Sequence, residues 1–128
     1  MKVRDLHAEP VEATSPGESL ADAADRMRFY DIGALAVLER GEPVAIITER
    51  DLARAVADRV DPARTPVLSY MTPEPVTISA DADVVEAGVL MMALGVRHLP
   101  VIDCGTIAGM VSIRDVLGAE LAHAAHGG

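Results

Sequence analysis

Two short stretches set a hydroxyl and a carboxylate three positions apart, each directly after an apolar run. They are Thr48-Glu49-Arg50-Asp51, which follows residues 44–47, and Ser112-Ile113-Arg114-Asp115, which follows residues 107–111. If the apolar run is a strand and the next residues open a helix, the hydroxyl stands at the strand end and the carboxylate lies one turn into the helix. One reading is purely structural. Thr/Ser-x-x-Asp at a helix start is a capping box, in which both side chains satisfy orphan backbone amides. The other reading is a ribonucleotide site. Free N–H groups and the positive dipole end of a helix attract phosphate, the hydroxyl adds a hydrogen bond, and an Asp offers two acceptor oxygens to the two vicinal hydroxyls of ribose. On the residues alone both readings stay open.

Arg97 and His98 stand immediately before the apolar run Leu99-Pro100-Val101. Two neighbouring basic groups suit an anion, and arginine binds phosphate in bidentate fashion. The alternatives are an exposed ion pair for Arg97, with Asp103 as the nearest acid in sequence, and a satisfied half-buried imidazole for His98. Arg50 and Arg114 each follow the hydroxyl by two positions, and could bind phosphate or form surface ion pairs. Met27, Met91, Met92 and Met110 lie at core spacing, which packing explains. Cys104 precedes Gly105 in a turn and has no adjacent base to activate it. His123 and His126 could touch a metal, but a two-histidine tail is ordinarily solvated.

These groups must be positioned by elements that the sequence states twice. Shifting residues 20–53 by 64 positions lays them on residues 84–117 without a gap: Ala23 falls on Ala87, Met27 on Met91, Leu35 on Leu99, Gly41 on Gly105, Arg50 on Arg114 and Asp51 on Asp115. A repeat of this kind is one supersecondary unit used twice. Each copy reads strand, helix, strand, strand, helix, an α/β (α+β) class. In the first copy the short strand covers 11–14, and Ser15-Pro16-Gly17 breaks it. Ser19 caps a helix with the apolar stripe Leu20, Ala23, Ala24 and Met27, running to Tyr30. Strands over 34–38 and 44–47 flank the turn Glu39-Arg40-Gly41-Glu42. A second helix runs from Glu49 to about Val60, with Leu52, Ala53 and Val56 facing inward. The second copy has a short strand over 76–78, a helix capped by Asp83 and Glu86 with stripe Val84, Ala87, Gly88 and Met91, strands over 99–102 and 107–111, and a helix from Arg114 to about Ala124. The tail from His123 is expected to fray. His7–Val11 echoes Thr72–Val76 at an offset of 65. The halves therefore divide as 1–64 and 65–128, with 61–70 as linker. Two similar halves sharing a core would enclose a cleft, a natural ligand site. The site is not symmetric, because Gly33-Ala34 stands where the second copy has Arg97-His98.

The bulk composition narrows the partners. The chain has 128 residues and a net charge of −9. Such a length suggests one compact module that buries roughly two-thirds of its unfolded surface. A strongly acidic chain repels nucleic-acid phosphates and anionic membranes. The aromatics, Phe29, Tyr30 and Tyr70, are too few for base-stacking platforms. No apolar run approaches the about 18 residues that span a bilayer. The N-terminus has no apolar stretch typical of a signal peptide. With the single Cys104, these features lead us to expect a cytoplasmic protein. There is no catalytic triad, metal-ligand spacing or glycine-rich phosphate loop, so no enzyme is expected.

The doubled pattern resembles a tandem pair of CBS domains, a Bateman module, over essentially the full chain. The pieces that carry the resemblance are Asp22-Ala23 and Glu86-Ala87, Met27 and Met91, Ile32-Gly33-Ala34-Leu35 and Val96-Arg97-His98-Leu99-Pro100-Val101. To these are added Ile47-Thr48-Glu49-Arg50-Asp51-Leu52, Val111-Ser112-Ile113-Arg114-Asp115-Val116, and the lead-in Tyr70-Met71-Thr72-Pro73. The resemblance implies two pseudo-symmetric β-α-β-β-α repeats packed through their sheets. It further implies a stand-alone regulatory module that binds an adenosine-containing ligand (AMP, ADP, ATP or S-adenosylmethionine) and needs no cofactor. Homodimerisation and control of some other protein are implied as well, the alternative being a dimeric scaffold whose sites are empty. By position, Asp51 and Asp115 would hold ribose, and Thr48 and Ser112 would lie near phosphate. Arg97 and His98 would bind phosphate in the second site, and Val11, Ala13, Val76 and Ile78 would wall the adenine. Ala45 departs from the usual glycine, kept as Gly109 in the second copy, and its methyl would crowd the first site. The second site is therefore the expected one, and the acidic charge favours AMP over ATP.

Overall fold

The computed structural model describes residues 1–6 and 12–127. The first repeat holds β1 (Ala13–Thr14), α1 (Leu20–Tyr30), β2 (Ala34–Glu39), β3 (Glu42–Thr48), α2 (Glu49–Ala57) and β4 (Thr72–Pro73). The second holds β5 (Ile78–Ser79), α3 (Val84–Leu94), β6 (His98–Asp103), β7 (Thr106–Ser112) and α4 (Ile113–Gly127). Four helices and two sheets make a mixed α/β architecture, with sheet orders β1-β2-β3-β4 and β5-β6-β7. In each sheet the short first strand runs parallel to its neighbour, and the next pair is antiparallel.

Local chemistry explains the elements. Ser19 Oγ accepts from the Asp22 N–H at 3.1 Å and starts α1. Asp83 and Glu86 form a full capping box at α3, which satisfies two amides that would otherwise be orphaned. Arg40-Gly41 and Cys104-Gly105 each turn a hairpin with both residues at positive φ. That left-handed pair is the type I′ geometry matching strand twist, and glycine supplies one of the two positions without strain. Both hairpins carry a register shift at the same point, after Val37 and after Val101. Leu20, Ala23, Met27, Leu35, Val37 and Ile47 bury one core, and Val84, Ala87, Met91, Leu99, Val101 and Val111 bury the other.

The division into units differs from the boundary at 64/65. Glu12–Pro75 is one compact unit, and residues 1–6 belong with Val76 onward in the other. Residues 65–75 stay with the first repeat because Val67 is fully buried there, its N–H donating to Glu18 O at 2.8 Å. The N-terminus joins the second repeat because Val3 lies in that core, with its N–H on Ala82 O at 2.8 Å and Arg4 N–H on Ala80 O at 2.9 Å. Arg4 then pairs with Asp81 at 2.6 Å and Asp103 at 3.3 Å. Two 3-10 turns, Val3–Asp5 and Val67–Ser69, carry these attachments.

Several local expectations change. Val76 lies outside β5, which begins at Ile78, and is largely exposed. α2 ends at Ala57 rather than near Val60, and turns Val56 outward, Asp51 and Ala55 being its buried residues. Met92 is 81% exposed, not core, because α3 buries Val84, Ala87 and Met91 one step away on the helix. α4 continues to Gly127, so the segment from His123 is helical. His7–Val11 lies outside the described residues. No helix among the described residues is long and apolar enough to cross a membrane.

Candidate functional site

Both hydroxyl–carboxylate pairs sit where a strand runs into a helix, and both form capping boxes. Thr48 N–H donates to Asp51 Oδ2 at 2.9 Å, and Asp51 N–H donates back to Thr48 Oγ1 at 3.4 Å. Ser112 N–H donates to Asp115 Oδ2 at 3.0 Å, and Asp115 N–H to Ser112 Oγ at 3.1 Å. The strand that pairs alongside is tied to the same helix start in both copies. Glu49 N–H donates to Gly33 O at 3.0 Å, and Ile113 N–H to Arg97 O at 2.8 Å. His98 lies opposite Ser112 in the β6–β7 register, as Ala34 lies opposite Thr48. The second unit thus gathers Arg97, His98, Ser112 and Asp115 at one end of its sheet.

The two carboxylates differ in what else they hold. Asp51 is 3% exposed, and its Oδ1 accepts from Arg54 Nη1 at 2.9 Å while Oδ2 also takes the Thr48 hydroxyl at 3.2 Å. Arg54 is itself positioned: its guanidinium lies 5.8 Å from the Tyr70 ring centroid, and Tyr70 donates to Asp58 at 2.7 Å. The position equivalent to Arg54 in the second copy is Gly118. Asp115 is half-buried, and among the described residues its Oδ1 accepts no protein hydrogen bond. A carboxylate oxygen left open beside a helix start can receive donors from a ligand. The sequence carried a signal for this difference, an arginine three residues after Asp51 and a glycine three after Asp115, which only the built helices made readable.

Arg97 is exposed and forms no ion pair among the described residues. Asp103, the partner in the alternative ion-pair reading, pairs with Arg4 instead. Among the described residues the second repeat therefore offers an uncompensated guanidinium on the residue before β6 and an open carboxylate oxygen in the first turn of α4. The two residues are joined through Ile113, whose N–H binds Arg97 O in the same turn that Asp115 caps.

A family model described as CBS domain matches residues 3–58 and again residues 67–122. The chain belongs to the CBS domain family. An uncharacterised 17.7 kDa protein of Acidianus ambivalens is 37% identical over 123 residues, which is 94% of this chain and 73% of that one. A solved CBS-domain-containing protein of Agrobacterium tumefaciens is 31% identical with a TM-score of 0.88, over 94% of this chain and 99% of that one. A CBS domain protein of Pyrobaculum aerophilum, solved in complex with AMP, is 27% identical with a TM-score of 0.84, covering 95% and 98% of the two chains.

The other candidate residues distribute unevenly between the two CBS repeats. In the second, Ile78 is buried and pairs with Val101, farther along β6 than His98. Arg114 is exposed on the first turn of α4. In the first, Ala13 is half-buried on β1 and its carbonyl accepts from Arg26 at 2.6 Å, while Arg50 is exposed. Ala45 is 1% exposed and its methyl fills the first repeat's own core, so it stands in packing. Val11 lies outside the described residues. An open groove of about 530 Å³ in the first repeat is lined by Pro43, Val44, Leu68 and Met71 near the hairpin end of β3. Among the described residues, none of the candidate ligand-binding residues lines it.

Proposed function

We propose that this CBS pair is a regulatory module that binds an adenosine-containing ligand, AMP-like in size and charge, at the Ser112–Asp115 end of its second repeat. It acts through the shape of a homodimer on a regulated partner and performs no chemistry of its own. The observation that carries the reading is the pairing of an open Asp115 Oδ1 with an unpaired Arg97 across one helix start. The carboxylate suits the vicinal hydroxyls of ribose, the guanidinium suits a phosphate, and the Ser112 hydroxyl stands between strand and helix. The AMP complex of the Pyrobaculum aerophilum relative supports the same ligand class. A net charge of −9 makes each added phosphate costlier, which favours a monophosphate. A cytoplasmic location belongs to the same proposal and rests on the sequence alone.

The test is a thermal-shift series with adenosine, AMP, ADP, ATP and S-adenosylmethionine. A ligand at 100 times its dissociation constant stabilises the fold by about 2.7 kcal/mol. AMP is expected to shift the melting temperature by several degrees and adenosine less. No shift with any of the five at millimolar concentration overturns the reading and leaves a dimeric scaffold in its place.

A further inference from the structure

The open groove of the first repeat has a counterpart in the second, where an arginine of the chain itself already lies. Pro43, Val44, Leu68 and Met71 form the apolar wall of the groove, and Glu39 and Glu74 complete it. All of them belong to one compact unit, at the opposite end of β3 from Thr48. A shift of 64 lays Glu39 on Asp103 and Arg4 on Leu68. In the second unit Arg4 spans Asp103 at 3.3 Å and Asp81 at 2.6 Å, so a guanidinium covers the acid that ends β6. In the first unit the same position of the 3-10 turn carries Leu68, 58% exposed, and the acid that ends β2 has no such cover. The ion pairs of that unit are Arg26–Glu18, Arg54–Asp51 and Arg64–Asp61. Among the described residues Glu39 and Glu74 therefore pair with no cation. Neither does Glu42, which stands opposite Glu39 in the hairpin register, where like charges are destabilising.

We propose that this groove docks a basic, apolar peptide segment of the regulated partner. An arginine or lysine of the segment sits on Glu39 and Glu74, and an apolar side chain lies against Val44, Leu68 and Met71. This rests on the regulated partner in the proposed function and gives that partner's chemistry. Arg4 shows that a guanidinium fits beside the acid at this point of the repeat. Charge selects the class of occupant. A chain of net charge −9 draws cationic segments and repels acidic ones, its own copies included. The apolar wall selects a peptide over a simple cation. A bare ion leaves Leu68 in water, whereas a segment with an aliphatic side chain beside its charge covers it. The segment is held through side chains and not as an added strand. β4 is the edge of its sheet, and Pro73 has no N–H to offer a further strand.

The experiment uses the full chain and fluorescence anisotropy of a labelled hexapeptide alternating leucine and arginine, at about 0.15 M salt, where distant charges are screened. Saturable binding is expected. The dissociation constant should rise at least about tenfold in Glu39→Gln/Glu74→Gln, the loss of charge-assisted bonds. It should rise by about tenfold in Leu68→Ser, the loss of apolar burial. Asp25→Asn/Glu120→Gln removes the same charge from α1 and α4 and should change binding by no more than about twofold. Circular dichroism should stay unchanged throughout, because all five side chains are exposed. Absence of saturable binding, or an equal loss in the control pair, overturns the proposal. A loss in the glutamine pair but not in Leu68→Ser makes a simple cation the occupant and overturns it too. So does a dimer of this chain that dissociates in Leu68→Ser, which makes a second copy the occupant. The AMP-dependent thermal shift is read on the same samples. An intact shift without peptide binding sinks only this docking surface, and peptide binding without any shift sinks only the nucleotide reading.

Discussion

Asp51 and Asp115 occupy the same point of the repeat and cap the same kind of helix, yet one neighbour separates them. Arg54 closes the first carboxylate, while Gly118 leaves the second open. That contrast gives a sharp expectation for Gly118→Arg. Nothing lies within 4 Å of a Cβ built there, and replacing a helical glycine stabilises by about 0.8 kcal/mol or slightly more. The variant should therefore melt at a higher temperature while its AMP-dependent shift shrinks, an opposition that one thermal-melt series can read. Asp115→Asn keeps an acceptor for the Ser112 N–H but no longer offers the carboxylate to ribose. Its melting point should fall by a small amount while the AMP shift disappears. Arg97→Ala should weaken AMP by about tenfold to a hundredfold, the range for losing a charge-assisted hydrogen bond, and leave adenosine unchanged in calorimetry. The hydroxyl–carboxylate spacing was legible in the sequence at this scale. The inequality of the two carboxylates was not, because it depends on which side chain reaches Oδ1.

Elements decide how the first repeat holds its short strand. Glu18 accepts from Thr14 at 2.8 Å and from Arg26 at 2.9 Å, and Arg26 reaches back to Ala13 O at 2.6 Å. Burial alone would raise the Glu18 carboxyl, but the Arg26 and Thr14 hydrogen bonds and the Arg26 charge outweigh it and hold the group below its ordinary value. A depressed carboxyl stabilises the fold above its unfolded pKa, near 4.3 for glutamate. That contribution is lost as pH falls through the lowered folded value. Melting temperatures measured from pH 5 down to pH 3 should fall less steeply in Glu18→Gln than in the wild type. Gly88 is the matching constraint in the second repeat. Its contact distance to Val116 leaves no room for a large side chain, so Gly88→Leu is expected to destabilise by about 1–3 kcal/mol through overpacking. Helix starts were readable from Ser19 and Asp83 because capping is local chemistry. The buried faces of α2 and α3 have no comparably local signal. Apolar residues such as Val56 and Met92 satisfied a helical period while lying outside the buried arc.

At the scale of the molecule, the chain order and the compact units do not coincide. Val3 is fully buried in the second repeat's core, and its strap is closed by Arg4 on Asp81 and Asp103. The Arg4 hydrogen bond and charge hold the Asp81 carboxyl below its usual range. Deleting residues 1–5 removes the buried valine along with the backbone bonds to Ala80 and Ala82. The cost should be on the order of 2 kcal/mol or more, since full burial of one valine contributes about 1.5–3 kcal/mol. Hydrogen exchange should show that loss in α3 and β6 and spare β2 and β3. An equal loss of protection in the first repeat would contradict the assignment of the N-terminus to the second.

The sequence by itself determined the doubling, the order of elements within each copy, the helix caps, the hairpin turns and the family. Each of these follows from residue type and spacing over a few positions, and the copy at 64 residues' distance reinforced every one. Tertiary structure alone decided that residues 1–6 complete the second repeat and residues 65–75 the first, that Arg54 closes Asp51, and that Met92 faces outward. These outcomes turn on long-range burial and on which of several acceptable partners is near in space. Neither quantity has a local signature in the chain.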